Sequence, residues 1–225
     1  MNSWPVRGIL FDWRGTLFHD EEDVEWVRAS AASIGRDFSV AQAMELLSLV
    51  GTTSQHPDVI AARRRADCSV DLNRAATLLE LRLAGYDDDL ALAIWQRDGT
   101  PGVSLPYTDV PAVLAELKAH GMRIGVVSDI HYDLRPLFKR YDLAHLVDAY
   151  TLSFEHGVQK PDPHLFEIAL AELGVAAAET LMVGDRASHD AGGVSLGITT
   201  LILPPAPSYG PRGLDTVLRL AGCAH

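Results

Sequence analysis

From Pro106 onward the sequence alternates between short apolar segments and longer segments in which apolar residues recur at helical spacing. The apolar segments have the length and composition of buried strands, and another lies at residues 6–11. Strands joined by helices of this length require right-handed crossovers, which give a parallel sheet covered by helices on both faces. The alternation therefore predicts an α/β fold. The predicted strands are 6–11, 123–127, 149–152, 181–183 and 198–203, and the predicted helices between and after them are 110–120, 133–141, 163–173, 190–196 and 213–221.

The segment from residue 19 to 105 has a different character. It is rich in Ala, Leu, Glu and Arg and shows no strand-like alternation. Ser39 is a suitable N-cap for one of its helices. We therefore predict an α/β core domain formed by residues 1–18 and 106–225, interrupted by a helical subdomain at 19–105. The helices predicted in this insert are 23–33, 40–50, 58–65, 71–84 and 88–97.

Polar residues stand where the predicted core strands end. Asp12, Ser128 and Asp185 each follow an apolar segment, whereas Lys160 lies in the loop after a strand and Asp190 follows Asp185 closely. In open parallel sheets, ligands bind beyond the carboxyl ends of the strands. A carboxylate at the end of a buried strand is also costly unless it is paired, bound to a metal or used in chemistry. We expect these side chains to form one site.

Four motifs carry these residues in a fixed order. The chain resembles the haloacid dehalogenase-like (HAD) hydrolase superfamily at all four. The resemblance implies a Rossmann-like three-layer core, and the helical insert directly after the first motif resembles the family's C1-type cap, which closes over the site and selects substrates. The motifs are FDWRGT at 11–16, VSD at 127–129, KPD at 160–162 and GDRASHD at 184–190.

The resemblance assigns the catalytic residues. Asp12 would attack phosphorus and form an aspartyl phosphate, which divides one difficult displacement into two easier ones. Ser128 would donate a hydrogen bond to the transferring phosphoryl group, and Lys160 would neutralise charge on the nucleophile and the phosphate. Thr16 and Asp129, in the same motifs, are assigned to substrate binding.

A divalent cation is also implied. An anionic nucleophile that approaches an anionic phosphate needs compensating positive charge, and Mg²⁺ prefers hard oxygen ligands. The resemblance assigns Asp12, Asp185 and the backbone carbonyl of Arg14 as ligands, with Asp190 orienting metal-bound water or adding a ligand. The predicted cofactor is therefore Mg²⁺.

Arg14 departs from the family pattern. Family phosphatases usually carry a second Asp at this position, which acts as a general acid and then as a general base. Arginine stays protonated at any working pH and cannot do this. Three alternatives remain open: Arg14 binds a second anionic group of the substrate, the enzyme is slow or requires a good leaving group, or the chain has lost catalysis and only binds ligands. His131, His156 and His189 are candidates for the missing proton transfer, although a structural role is the simpler interpretation of each one.

The leading hypothesis is a Mg²⁺-dependent phosphatase, and the main alternative is a 2-haloacid dehalogenase. Dehalogenases of the family also lack the second Asp, but they need no metal and do not keep the acidic motif that contains Asp185 and Asp190. A phosphonate hydrolase with a cap lysine is disfavoured because residues 19–105 contain no lysine. A non-catalytic binding or regulatory protein is the third hypothesis.

Composition limits the partners. The formal net charge of −11 disfavours binding to nucleic acid or to anionic membranes. The run of Arg63, Arg64 and Arg65 is interpreted as a solvated helix face. Cys68 and Cys223 form no metal or disulfide pattern, and the sequence shows neither a signal peptide nor a membrane-spanning run. We expect a cytoplasmic protein, monomeric or homodimeric, with a small phosphorylated substrate.

Overall fold

The computed structural model describes residues 6–98, 103–205 and 209–223. The chain divides into two compact units. The core unit comprises Met1–His19 and Leu105–His225, and the helical unit comprises Asp20–Ser104.

The centre of the core unit is a parallel sheet, which confirms the predicted α/β fold. The strands are β1 Gly8–Phe11, β2 Phe18–Asp20, β3 Ser104–Pro106, β4 Arg123–Ser128, β5 Ala149–Leu152, β6 Thr180–Gly184 and β7 Thr199–Ile202. Five of them form the sheet in the order β5-β4-β1-β6-β7, and all of its neighbouring strands run parallel. The strands β2 and β3 pair with each other and form a separate two-stranded sheet.

Helices cover both faces of this sheet. The core helices are α6 Val110–Ala119, α7 Arg135–Arg140, α8 Ser153–His156, α9 Pro163–Leu173, α10 Ala187–Asp190 and α11 Asp215–Leu220. Successive strand residues point to opposite faces. Ile9 and Phe11 accordingly belong to the apolar cluster that includes residues of α6, α7 and α11, whereas Leu10 belongs to a second cluster with residues of α9.

The helical unit contains α1 Asp23–Ser33, α2 Val40–Thr53, α3 Pro57–Arg63, α4 Val70–Leu83 and α5 Asp88–Arg97. Ser39 caps α2 as predicted and forms a capping box with Gln42. Arg64 and Arg65 are exposed, as predicted for a solvated face. Arg63 is partly exposed, but its guanidinium also forms an ion pair with the largely buried carboxylate of Glu80 and donates to Thr77 Oγ1 at 3.1 Å. Among the described residues, no helix is long and apolar enough to cross a membrane.

Several parts of the secondary structure differ from prediction, and two of them have a clear physical reason. The strands β2 and β3 have three residues each, too few for an alternating pattern to be visible. The predicted helix 190–196 is a 3-10 helix over Ala191–Leu196, preceded by α10. It contains Gly192 and Gly193, where a Cβ atom would collide with or crowd the side chain of Phe166. Close packing on α9 therefore selects glycines there, and glycine is a weak helix former.

The start of β5 is fixed by the carboxylate of Asp148. Its Oδ2 accepts hydrogen bonds from the backbone N–H of Ile124 at 2.8 Å and from Lys118 Nζ at 2.8 Å. Its Oδ1 accepts from Arg123 Nη1 at 2.8 Å. Burial alone would raise the pKa of Asp148, but the contacts with Lys118, Ile124 and Arg123 outweigh it and hold that pKa below its usual value.

We expect Asp148→Asn to lower the free energy of unfolding by about 2 kcal/mol near neutral pH, because charge-assisted hydrogen bonds are lost. A lowered folded pKa stabilises the fold above the unfolded pKa of about 3.9, and this contribution is lost as the pH falls through the folded pKa. In urea titrations the difference from the native protein should therefore shrink below about pH 4. Asp142→Asn is the control, since the Asp142 side chain is fully exposed and asparagine tolerates its positive φ of 56°. A difference that persists undiminished in acid would contradict this role.

Candidate active site

Strand register brings the polar residues to one edge of the sheet. Phe11 of β1 lies opposite Val126 of β4 and Val183 of β6. The N–H of Asp12 donates to the carbonyl of Val183 at 2.9 Å, so Asp12 is held directly beyond the end of β1. Ser128 is the last residue of β4 and is buried. Asp12, the candidate nucleophile, thus lies just after the middle strand of the sheet, between the strands that carry the second and fourth motifs.

The centre of the site is the ammonium group of Lys160. Its side chain is fully buried, and Nζ donates to Asp12 Oδ1 at 2.6 Å and to Asp190 Oδ1 at 2.7 Å. Burial would lower the pKa of Lys160, but the negative charges of Asp12, Asp190 and Asp129 outweigh it and raise that pKa above its usual value. A permanently charged lysine therefore joins two of the predicted site carboxylates.

Further hydrogen bonds orient these groups. Thr16 Oγ1 donates to Asp12 Oδ2 at 3.3 Å. The backbone N–H of Lys160 donates to Asp129 Oδ1 at 2.7 Å, so Asp129 holds the loop that presents Lys160. The N–H of Arg186 donates to Asp190 Oδ2 at 2.9 Å and closes the turn between β6 and α10. Thr16 and Asp129, predicted as substrate-binding residues, contact Asp12 and the backbone of Lys160 in the structure.

Three carboxylates form a group suited to a cation. One oxygen each from Asp12, Asp185 and Asp190 lie within 4.8 Å of one another. Asp185 Oδ1 is buried and has no hydrogen-bond partner among the described residues. Burial, followed by the negative charge of Asp12, raises the pKa of Asp185. An unsatisfied buried oxygen in an all-carboxylate set fits a hard divalent cation such as Mg²⁺.

Two glycines allow the carboxylates to approach the backbone. Gly15 has a φ of +80°, and a Cβ atom there would collide with the carboxylate of Asp185. A Cβ atom at Gly184 would collide with the Asp190 side chain. The glycine of the first motif is thus required both by its backbone conformation and by the acid that packs against it.

The guanidinium of Arg14 stacks on one aromatic ring and is hydrogen-bonded to a second aromatic residue. Its guanidinium carbon is 4.7 Å from the centre of the Trp13 ring, and Nη2 donates to the hydroxyl of Tyr132 at 3.3 Å. The rings of Trp13 and Tyr132 meet edge to face, with their centres 6.1 Å apart. Tyr132 was missed from the sequence, although its place four residues after Ser128 is a usable signal. Arg14 and Tyr132 join the loops that follow β1 and β4.

The three histidines have different surroundings. His131 is buried, and its ring meets Tyr132 edge to face at 5.1 Å. His156 Nε2 lies 3.8 Å from a carboxylate oxygen of Glu172. Burial, with the positive charges of Arg186 and Lys160, lowers the pKa of His189, so its imidazole is neutral at neutral pH. Of these three histidines, His131 thus contacts Tyr132, which accepts the hydrogen bond from Arg14.

Solved structures similar to this fold include enzymes of two kinds. A HAD phosphatase from Thermococcus onnurineus has a TM-score of 0.62 at 21% identity, covering 96% of this chain and 98% of the other. L-2-haloacid dehalogenase from Xanthobacter autotrophicus has a TM-score of 0.65 at 21% identity, covering 88% and 77%. The fold therefore does not distinguish phosphatase from dehalogenase.

Comparison of sequences identifies the family. The glyceraldehyde 3-phosphate phosphatase of Methanocaldococcus jannaschii is 27% identical over 206 residues, which cover 82% of this chain and 78% of the relative. The family model for haloacid dehalogenase-like hydrolases matches residues 6–195. This span contains all four motifs and the charge cluster formed by Asp12, Lys160, Asp185 and Asp190. The chain belongs to the haloacid dehalogenase-like hydrolase family.

Proposed function

We propose that this chain is a Mg²⁺-dependent phosphatase that hydrolyses a small phosphorylated metabolite through an aspartyl phosphate on Asp12. The observation that carries the proposal is the charge cluster at the sheet edge: a buried lysine bridges Asp12 and Asp190, and beside them lies a buried oxygen of Asp185 that no described residue pairs with. The phosphatase name of a relative that covers 82% of this chain supports the same reaction.

In the first step, a carboxylate oxygen of Asp12 attacks phosphorus. We assign Oδ2, because Oδ1 is held by Lys160 at 2.6 Å whereas Oδ2 has the longer contact of 3.3 Å with Thr16. The new P–O bond forms as the ester P–O bond breaks, and the leaving oxygen keeps the electron pair and takes a proton from water. Lys160 stays protonated and offsets the negative charge that gathers on the phosphoryl group. Ser128 donates a hydrogen bond to a phosphoryl oxygen.

In the second step, water attacks the phosphorus of the aspartyl phosphate. The bond between phosphorus and Asp12 Oδ2 breaks with its electron pair staying on Oδ2, the proton given up by the water leaves with inorganic phosphate, and the carboxylate of Asp12 is restored. Asp12, Asp185 and the backbone carbonyl of Arg14 would hold Mg²⁺, with Asp190 in a supporting place. The ion supplies positive charge that lets two anions approach each other. Asp129 and Thr16 keep Lys160 and Asp12 in position.

The remaining features of the proposal concern selectivity and setting. The helical unit serves as the substrate-selecting cap, as its place directly after the first motif suggests. Arg14 binds a second anionic group of the substrate, since Trp13 and Tyr132 fix its guanidinium. Cys68 and Cys223 are buried and form no disulfide, which agrees with a reducing, cytoplasmic setting. The protein acts as a monomer or a homodimer.

A dehalogenase is the alternative, because such an enzyme shares the fold. Displacement of halide by Asp12 needs no metal, and it gives no reason for Asp185 Oδ1 to be buried with no partner in the described part of the chain. The acidic group therefore favours phosphoryl transfer.

The test is hydrolysis of p-nitrophenyl phosphate by the native protein with Mg²⁺, with EDTA, and with Mg²⁺ restored. We expect activity that EDTA abolishes and Mg²⁺ recovers. Asp185→Asn should raise the Mg²⁺ concentration for half-maximal activity at least about tenfold, since one charged ligand is lost. Asp215→Asn is the control, an exposed acid that pairs with Arg219. Halide release from 2-chloropropionate in EDTA, without phosphate release, would overturn the proposal.

A further inference from the structure

We propose that Arg212 is a positioning residue that holds the nucleophile loop from the C-terminal segment and sets the geometry of Asp12 and Asp185. This inference rests on the proposed function for its kinetic consequences, but its contacts do not depend on that function. Arg212 is 4% exposed, although it carries a permanent charge. It lies outside the four motifs and beyond the span matched by the family model.

The guanidinium of Arg212 joins two loops at the site edge of the sheet. Nε donates to the carbonyl of Gly15 at 2.7 Å. Nη2 donates to the carbonyl of Pro204, in the segment after β7, at 2.7 Å. The guanidinium carbon also lies 5.8 Å from the ring centre of Tyr107. The first motif is therefore fixed by a residue 197 positions away along the chain.

The backbone of Arg212 is itself rigidly placed. Asp109 Oδ1 accepts from the N–H of Arg212 at 2.7 Å, and Oδ2 accepts from the N–H groups of Gly213 and Leu214 at 2.8 and 2.9 Å. Leu214 is completely buried in the core. Asp109 and Leu214 thus dock the segment without help from the Arg212 side chain. The guanidinium contact with Gly15 is an additional feature that docking does not require.

The contact bears on the site because of where Gly15 lies. The carboxylate of Asp185 packs directly against the Cα of Gly15. The peptide whose carbonyl accepts from Arg212 continues into Thr16, and Thr16 Oγ1 contacts Asp12 Oδ2. A shift of Gly15 would therefore move a proposed metal ligand and the nucleophile together. Displacements of about 1 Å at reacting groups can reduce rates about a hundredfold.

The guanidinium of Arg212 is bound by backbone carbonyl groups. Its hydrogen bonds go to two carbonyl oxygens, and within the described part of the chain it forms no ion pair. A buried charge that lacks a counterion is unfavourable. The two carbonyl oxygens therefore supply the hydrogen bonds of this buried group, and one of them belongs to the first motif.

The test compares Arg212→Ala and Arg212→Lys with the native protein. We expect Arg212→Ala to lower kcat about 10- to 100-fold, with a smaller change in KM, and to weaken binding of Mn²⁺ measured by electron paramagnetic resonance. Added methylguanidinium at millimolar concentration should restore part of kcat, because it can occupy the vacated space and donate to Gly15. Arg212→Lys, which keeps the charge but lacks the planar fork, should fall between the two.

Arg219→Ala is the matched control, since Arg219 is an exposed arginine of α11 that pairs with Asp215. It should show native kcat and no response to methylguanidinium. Native kcat and native Mn²⁺ affinity in Arg212→Ala would overturn the inference, as would a loss of kcat that methylguanidinium leaves unchanged. If Arg212→Ala does not fold, native kinetics in Arg212→Lys would overturn it. If the native protein hydrolyses no phosphate, the proposed function fails, and Mn²⁺ affinity still decides the role of Arg212.

Discussion

Asp12→Asn is expected to reduce phosphate release by at least about a thousandfold, because the neutral amide cannot attack phosphorus. The side chain keeps nearly the same size, and the carbonyl of Val183 can still accept from the backbone N–H of residue 12. Lys160 keeps its contact with Asp190 but loses the contact with the Asp12 carboxylate. Since that ammonium is fully buried, some loss of stability should accompany the loss of activity.

The covalent intermediate gives a second measurement. After rapid mixing with a ³²P-labelled substrate and an acid quench, label should remain on the native protein and be absent from Asp12→Asn. Circular dichroism shows whether the variant is folded under the assay conditions. Asp142→Asn, at a fully exposed side chain, serves as the matched acid-to-amide control and should keep native labelling. Equal turnover in Asp12→Asn and the native protein would remove Asp12 as the nucleophile.

The sequence carries the information about this charge cluster only in part. Apolar periodicity and glycine stops predict the strands, and parallel strands bring their carboxyl ends together whatever the loops do. Placement of Asp12, Ser128 and Asp185 at one edge follows from that geometry. The partners of Lys160 do not, because a long flexible side chain can reach several acids. The hydrogen bond from the backbone N–H of Lys160 to Asp129 is equally hidden, because the position of Asp129 beside Ser128 does not indicate it.

Contacts between segments that are distant along the chain are the part of the site that the sequence predicts least. Nothing in the local pattern around Arg212 indicates that its side chain reaches the carbonyl of Gly15. Tyr132 lies in a loop whose path is set by packing rather than by periodicity, so its contact with Arg14 is equally hidden. Both contacts act on residues of the first motif. The motif therefore predicts the reaction class, whereas the residues that tune it come from loops elsewhere in the fold.

We expect Arg14 to distinguish substrates by charge. A guanidinium stacked on Trp13 and bonded to Tyr132 is held in a fixed orientation, which suits recognition of a carboxylate or a second phosphate. The indole N–H of Trp13 is buried and has no hydrogen-bond partner among the described residues. A vestigial arginine left by the loss of a catalytic acid would need no such support. Of the three interpretations of Arg14, we therefore propose substrate binding.

The test uses two substrates that differ in one charge, 3-carboxyphenyl phosphate and its methyl ester. Arg14→Asp should lower kcat/KM for the carboxylate about 10- to 100-fold, because a charge-assisted hydrogen bond is replaced by repulsion. It should affect the ester much less. Tyr132→Phe keeps the ring but removes the hydroxyl, so it should shift the same ratio in the same direction by a smaller factor. Improved turnover of simple alkyl phosphates by Arg14→Asp would instead show that position 14 faces the leaving oxygen, where a carboxylic acid donates the proton that arginine withholds.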